Sequence, residues 1–302
     1  MIMQYIFKNL ASGLQRFQKG SVVHGIQDSF RLLLGHQNCQ KIVNQKEIRI
    51  VGLRRTGNHA IIQWIVKQQI GNVLCLNNLP IDESPYRHRY EYPEKNDLPE
   101  QIEKLEAEAK GEFTLKECLI YSYEDHPLKS VFSDRFEDRH DLYLGKSRCR
   151  YDVLLLRDPF NLFASRFKSH KIGVKETEQD MVSVWIEYAK EFLGETNYLK
   201  HQKICINYNE WFRDREYRRK IADLLDSEFS DAGIDEVSHY GGGSSFNQQN
   251  LQGKARQMDV LNRWKSFADD PAYRQLFKNP ELFEYSEKIF GCLPGTDCLR
   301  SA

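Results

Sequence analysis

Apolar residues fall along the chain in short runs that alternate with amphipathic stretches. Ile48-Arg49-Ile50-Val51-Gly52 is rich in β-branched residues and reads as a strand ending in glycine, and Ala60-Ile61-Ile62-Gln63-Trp64-Ile65-Val66 behind it reads as a helix. Residues 80–110 are polar and rich in Pro, Tyr and Glu, which predicts a surface excursion followed by a charged helix over 99–110. A second strand lies between Phe113 and Tyr123, ending near Ser122. A third, Tyr151 to Leu156, is apolar enough to be buried on both faces. Helical patterns follow at 159–170 and 179–199, then a fourth strand from Lys203 to Tyr208, a helix at 215–228, a Gly/Ser loop at 240–245 and a helix over 256–268. Strands alternating with helices predict an α/β fold with a parallel sheet covered on both faces.

Ahead of the first strand, Ile2, Ile6, Leu10, Leu14 and Phe17 recur at helical spacing, and Phe30 with Leu32 to Leu34 forms a second apolar cluster. The expected organisation is an N-terminal helical extension, 1–40, and a single α/β domain, 41–302. The extension packs on the domain, or serves as a dimer contact or a membrane-surface helix. No stretch of 18 apolar residues occurs, and polar residues break up positions 1–19, so neither a spanning helix nor a signal peptide is expected.

Charge changes the picture by what it removes. Lys plus Arg (43) equals Asp plus Glu (43), so no global field draws the protein to nucleic acid or an anionic membrane, and any anion site must be a local arrangement. The seven cysteines are scattered, odd in number and free of C-x-x-C pairs, which predicts a reduced, cytoplasmic protein, although Cys292 and Cys298 could pair near the C-terminus. No Cys/His spacing suggests a metal site.

Two motifs carry chemistry. Gly52-Leu53-Arg54-Arg55-Thr56-Gly57-Asn58-His59-Ala60 joins a strand to a helix with glycines that let backbone approach an anion, and the helix turns its positive end toward it. The G-x-x-x-x-G spacing opens like a nucleoside-triphosphate P-loop, yet Asn58-His59 stands where Lys-Ser/Thr should follow. That argues against ATP-dependent phosphoryl transfer. In the second motif the strand 154–156 delivers Arg157 to its end, Pro159 starts a helix, and Ser165 lies about two turns along it. An Arg and a hydroxyl so placed can grip one phosphate; an Arg-Asp turn with an ordinary helix serine is the plainer reading.

Together these residues resemble the PAPS-dependent sulfotransferase family, whose donor is 3′-phosphoadenosine-5′-phosphosulfate. Its first loop reads roughly K-S-G-T-T-W, where this chain has Arg55-Thr56-Gly57-Asn58-His59-Ala60, and its Arg with a Ser eight residues on matches Arg157 and Ser165. Cys205-Ile206-Asn207-Tyr208-Asn209-Glu210-Trp211-Phe212 resembles its strand ending in Tyr-Glu-x-Leu. The likeness spans about 48–268 and implies a P-loop-like sulfotransferase fold. It implies the 5′-phosphosulfate on Arg54, Arg55, Thr56, Gly57, Asn58, His59 and Ala60, the 3′-phosphate on Arg157 and Ser165, and adenine beside Tyr208. Arg55 replaces the family's lysine and keeps the charge. Ala60 replaces its adenine-stacking Trp, for which Trp64 is a substitute unless it is core. The C-terminal R-K-G-x-x-G-x-W-K element is represented by 241–246, Lys254, Arg256 and Asn262-Arg263-Trp264-Lys265; some of these basic and Gly-Ser residues, Lys254 and Arg256 among them, are expected at the 3′-phosphate.

The resemblance places a base after the second strand, where Ser122-Tyr123-Glu124-Asp125-His126-Pro127 stands. Glu124 ranks first, His126 second and His59 third, with Arg55 stabilising the leaving oxygen. The implied reaction moves a sulfuryl group to a hydroxyl or amine of a small molecule, without a metal. The overall look resembles bacterial, especially cyanobacterial, sulfotransferases of secondary metabolism, including those acting on saxitoxin-type guanidinium alkaloids. Asp82, Glu83, Glu91, Glu94, Asp125, Asp134, Glu137 and Asp138 would suit such a cationic acceptor, or be plain solvated surface. Two alternatives stay open: a P-loop nucleotide kinase-like enzyme, and a nucleotide-binding module without catalysis.

Overall fold

The sheet is built around β1 (Ile42–Gly52), an eleven-residue strand whose last six positions are all buried. In the computed structural model the described residues are 28, 41–94, 97–170, 173–174, 179–237, 244–247 and 250–300. Strands β2 (Val73–Leu76), β3 (Lys116–Glu124), β4 (Lys146–Leu156) and β5 (Lys203–Asn207) complete an all-parallel sheet in the order β2-β3-β1-β4-β5. The helices are α1 (Asn58–Lys67), α2 (Pro85–Glu91), α3 (Pro99–Ala109), α4 (Leu128–Val131), α5 (Asp134–Glu137), α6 (His140–Leu144), α7 (Pro159–Lys168), α8 (Met181–Phe192), α9 (Tyr208–Arg213), α10 (Arg215–Leu224), α11 (Pro271–Gln275) and α12 (Pro280–Phe290).

Alternation along the strands divides the interior into two layers. Val51, Tyr121, Tyr123, Leu154 and Leu156 face a cluster with Phe163, Trp185 and Phe283. Ile48, Ile50, Ile120, Val153 and Leu155 face the other, with Trp64, Ile65 and Trp211. Each buried aliphatic side chain stabilises by about 1.5–3 kcal/mol, and β1 and β4 contribute to both layers because helices cover both faces.

The register decides where chemistry can occur. Gly52 lies opposite Glu124 on one side and Leu155 on the other, and Leu156 lies opposite Asn207. The loop after β1, the end of β3, Arg157 and Tyr208 therefore leave the sheet by the same edge.

The alternating α/β pattern anticipates this fold; α4, α5, α6, α11 and α12 were not expected, β1 and β4 start earlier than their apolar runs, and further local differences have visible causes. β2 was not expected: four residues between Gly71-Asn72 and Asn77-Asn78 carry too few positions to show a period. The excursion at 80–110 folds a further helix, α2, capped by the Ser84 hydroxyl. The helix expected at 179–199 stops at Phe192, and the Glu191 carboxylate instead accepts from the backbone N–H groups of Tyr198 and Leu199. The helix expected over 256–268 is two short 3₁₀ turns, Ala255–Gln257 and Arg263–Phe267. The carbonyls of Val260 and Leu261 accept from Arg157 and Asn161, so they are not available to a helical ladder. Cys75, Cys118, Cys149, Cys205, Cys292 and Cys298 are free thiols, so Cys292 and Cys298 are not bridged. The expected extension lies outside the described residues except for Asp28, which is buried against Arg87 (2.6 Å) and the Tyr143 hydroxyl (3.1 Å). Among the described residues no helix is long and apolar enough to cross a membrane.

Charged side chains cross-link the interior away from the strand ends. Glu47 accepts from His140 Nε2 (2.8 Å), the Tyr121 hydroxyl (2.8 Å), Arg150 and Ser147, while Arg49 pairs with Asp152 (2.8 Å) and Glu137 (2.6 Å). Burial would raise the Glu47 carboxyl, but His140, Arg150 and Ser147 outweigh it and hold the group well below the carboxylate range. Burial opposes the His140 charge, and Glu47 and Asp141 outweigh it in turn, so His140 titrates above its ordinary 6.5. Glu47 thus stabilises at pH above the carboxylate range and loses that as pH falls through its depressed value. His140 stabilises fully below 6.5 and loses its contribution as pH rises through its raised value. Thermal unfolding of the wild type should show Tm falling as pH rises from 6.5 through the raised value of His140, and His140→Gln should start lower and lack that slope. Glu47→Gln, which strips a buried cation of its partner, should cost about 3–5 kcal/mol in denaturant unfolding.

Candidate active site

Residues 53–57 turn the chain from β1 into α1, and each contact in the turn has a visible cause. Thr56 N–H donates to the Leu53 carbonyl at 3.1 Å, with Arg55 (φ 71°) and Gly57 (φ 104°) in the left-handed region. A side chain on Gly57 would place its Cβ 2.2 Å from the Tyr208 ring, so glycine is required both by the turn and by the approach of that ring. Asn58 Nδ2 donates to the Leu53 carbonyl at 3.1 Å, closing the turn. Asp125 pins it from the β3 side, accepting from Arg54 N–H (2.7 Å) and from both terminal nitrogens of Arg166 (2.6 and 3.1 Å). No side chain caps α1 and its first turn holds no acidic residue, so its N–H end is open to an anion.

Cationic side chains converge beside that end. Arg157, one residue past β4, donates to the Arg55 carbonyl (3.0 Å), to Ser165 Oγ (3.3 Å) and to the Val260 carbonyl. Ser165 Oγ donates its proton to the Asn161 carbonyl (2.8 Å) and accepts from Arg263 as well (3.1 Å). Arg263 donates in addition to Ser244 Oγ at 2.9 Å. Burial first, then Arg157 and Arg55, pushes Arg263 down to about 9. Burial and Arg157 lower Arg55 likewise, with Glu124 opposing. Like charges concentrated in a desolvated site favour an anion, since only a negative ligand relieves both effects. Thr56 Oγ1, Arg157 Nε and Arg263 Nε are buried without hydrogen-bond partners. All three are donors, which suits the oxygens of a phosphate or sulfate.

The base candidates separate by position. Glu124 is buried at the end of β3, its Oε1 without a hydrogen bond and 3.7 Å from His59 Nε2. His59 is partly exposed on α1, its Nδ1 3.2 Å from Asn77 Nδ2. His126 is buried with its ring edge-on to Tyr123 (centroids 6.5 Å), and its carbonyl accepts from the Tyr188 hydroxyl.

The structure thus gathers Arg54, Arg55, Thr56, Gly57, Asn58, His59, Glu124, Arg157, Ser165 and Tyr208 at one sheet edge. Tyr208 packs under Arg157 (4.9 Å) and stacks with Trp211 at 6.0 Å. Ala60 follows in the first turn of α1. Trp64 is core: it is fully buried and its indole N–H donates to Asp231 at 3.1 Å. Lys254 and Arg256 are exposed, and the Arg256 Nε donates to Asp235 at 2.9 Å. Asn77 and the Asp125–Arg166 pair were not singled out from sequence, and Arg263 and Ser244 figured only as members of the C-terminal segments expected at the 3′-phosphate. Arg263 stood in a segment whose basic character was visible, but its partner Ser165 is 98 residues away. Of the Gly/Ser loop, 241–243 lies outside the described residues. Among the described residues no three His, Cys, Asp or Glu side chains group as a metal would need.

No family profile matches the chain, and no curated protein does. Solved structures match. The sulfotransferase domain of the olefin synthase from Synechococcus PCC 7002 is 16% identical with a TM-score of 0.51, over 85% of this chain and 99% of that one. A mouse sulfotransferase complexed with PAP is 12% identical with a TM-score of 0.44, over 88% of this chain and 92% of that one. A retinol dehydratase in complex with retinol and PAP is 12% identical with a TM-score of 0.37, over 80% and 81%. The first of these likenesses shows the fold: this chain has the sulfotransferase fold.

Gly57→Ala should report on the turn. The strained φ and the clash with Tyr208 should destabilise by about 1–3 kcal/mol, read as a lowered midpoint in denaturant unfolding. A midpoint at or above that of the wild type would refute the packing of Tyr208 on the loop.

Proposed function

We propose that this chain, which has the sulfotransferase fold, is an enzyme that transfers a sulfuryl group from PAPS to a hydroxyl or amine of a small-molecule acceptor. The observation that carries the reading is the convergence of Arg157 and Arg263 on Ser165 beside the loop and the start of α1, with Arg157 also donating to the Arg55 carbonyl and with buried donors on Thr56, Arg157 and Arg263 unpartnered among the described residues. In this reading the loop 54–60 holds the 5′-phosphosulfate. Arg157, Ser165 and Arg263 hold the 3′-phosphate, Arg263 taking the part that Lys254 and Arg256 were expected to play. Tyr208 bounds the adenine side.

Catalysis then follows from what stands on either side of the loop. Glu124 takes the acceptor's proton as the acceptor atom bonds to sulfur. Arg55 and the N–H end of α1 stabilise the charge that gathers on the phosphate oxygen when its bond to sulfur breaks and adenosine 3′,5′-bisphosphate departs. A buried carboxylate at the end of β3 is well placed to accept that proton. His126, packed against Tyr123 in the core, is less suited.

The acceptor's charge is a separate matter. Of the carboxylates that could greet a cation, Asp125, Glu137 and Glu94 are paired with arginines of the protein itself, and Asp82 accepts from Ser133. Little of the local charge is therefore committed to a guanidinium acceptor of the saxitoxin type, and a neutral hydroxyl or an amine fits equally.

Three outcomes test the reading. Adenosine 3′,5′-bisphosphate should raise Tm and adenosine 5′-monophosphate should do far less, through preferential binding to the native state. Arg157→Ala and Arg263→Ala should each weaken the bisphosphate by about 2–5 kcal/mol in calorimetric titration, whereas Arg256→Ala should leave it unchanged; equal shifts from both nucleotides would sink the donor assignment. With labelled PAPS and a panel of acceptors, Glu124→Gln should cut turnover by about 10²–10⁴-fold at unchanged donor affinity. Near-wild-type turnover in that variant would remove Glu124 from the mechanism.

A further inference from the structure

Asn77 is the first residue after β2, at the same sheet edge as the loop, and the end of β3 fixes how its amide is turned. Ser122 Oγ accepts from Asn78 N–H at 2.9 Å and donates to Asn77 Oδ1 at 2.7 Å. With the oxygen end of the amide held there, the nitrogen end lies 3.2 Å from His59 Nδ1. An amide nitrogen only donates, so Nδ1 must accept, and a neutral His59 then carries its proton on Nε2. That nitrogen faces Glu124 Oε1 at 3.7 Å, a buried oxygen without a hydrogen bond. Hydrogen bonds of this kind tighten when a site fills.

We propose that Asn77 is a positioning residue of this site: with Ser122 behind it, it holds His59 as the Nε2–H tautomer and aims that proton at Glu124. The consequence for catalysis rests on the sulfuryl-transfer reading above. His59 then holds one Glu124 oxygen by donating to it, and the other oxygen takes the acceptor's proton. His59 does not compete as the base, because its Nδ1 lone pair is engaged by Asn77. Among the described residues, Glu124 faces His59, and Arg55 stands beside Glu124.

Histidine-selective ¹⁵N labelling reads the tautomer without reference to activity, the His59 signal being identified by its loss in His59→Gln. In the wild type near neutral pH, His59 Nε2 should be protonated and Nδ1 not; a proton on Nδ1 overturns the inference whether or not the protein transfers sulfuryl groups. Asn77→Asp puts an acceptor where the donor stood, so the tautomer should invert and His59 should titrate about 1–2 pH units higher. Asn77→Ala should give a mixture of tautomers. Glu124→Gln should lower the titration of His59, and no change there would show that the two side chains are not coupled and would equally overturn the proposal. In turnover of PAPS, Asn77→Asp should lower kcat about tenfold or more and shift the pH profile. The Tm increase given by adenosine 3′,5′-bisphosphate should be preserved. A wild-type kcat and pH profile in Asn77→Asp would remove the positioning role. If no acceptor is turned over by any form, the sulfuryl-transfer reading fails, and the tautomer and its coupling to Glu124 decide the inference on their own.

Discussion

Parallel pairing sends every strand of a sheet out through the same edge, and Gly52 leaves that edge with Glu124 on one side and Leu155 on the other. A slip of one residue would turn the buried side chains of β1 to the opposite layer, so the hydrophobic pattern of Ile48, Ile50 and Val51 fixes the register firmly. The site inherits that certainty. Arg157 lies two residues past the partner of Gly52, and Tyr208 one residue past the partner of Leu156. No loop has to find Arg157 or Glu124, because the packing of the core has already placed them.

Buried charge appears here in two forms. Beneath the sheet's functional edge, Glu47, His140, Arg150, Arg49, Asp152 and Glu137 satisfy one another, and their electrostatics are closed. At the edge itself, Arg157 and Arg263 share a neutral serine and backbone carbonyls, with no carboxylate bridging them. Desolvation is costly in both places, but only the first arrangement compensates it from within. The second leaves an excess of positive charge that a ligand of opposite sign would complete. The Asp125–Arg166 pair brings the first form to the loop itself: Asp125 accepts from the Arg54 N–H and is neutralised by Arg166.

Much of this was legible in the chain before it was folded. The apolar run before Arg157, the eight-residue step to Ser165, the glycine-bearing turn after Val51 and Tyr208 after its strand are local features, each contained in about a dozen residues. Local features survive in sequence because helix and strand periods, glycine and proline act over short range. Hence the α/β order, the parallel sheet and ten residues that gather at one sheet edge could be named in advance. The short strand β2, the break at Val260 and the burial of Trp64 could not. Each of these depends on a partner far along the chain: Cys118 for Val73, Arg157 for Val260, Asp231 for Trp64.

The same distinction runs through the site. That some basic residue near the C-terminal segment would approach the anion was visible in sequence; that Arg263 is held there while Arg256 turns to Asp235 was decided by contacts across 98 and 21 residues. That a histidine follows the loop was visible; the orientation of its ring nitrogens was decided by Asn77 and Ser122, which come from two other strand ends. Sequence determined which side chains the chain has to offer and on which elements they ride. Tertiary structure alone decided which are desolvated, which are neutralised by a neighbour and which remain open to a ligand, because those properties belong to pairs of residues that only the packed sheet brings within hydrogen-bond distance.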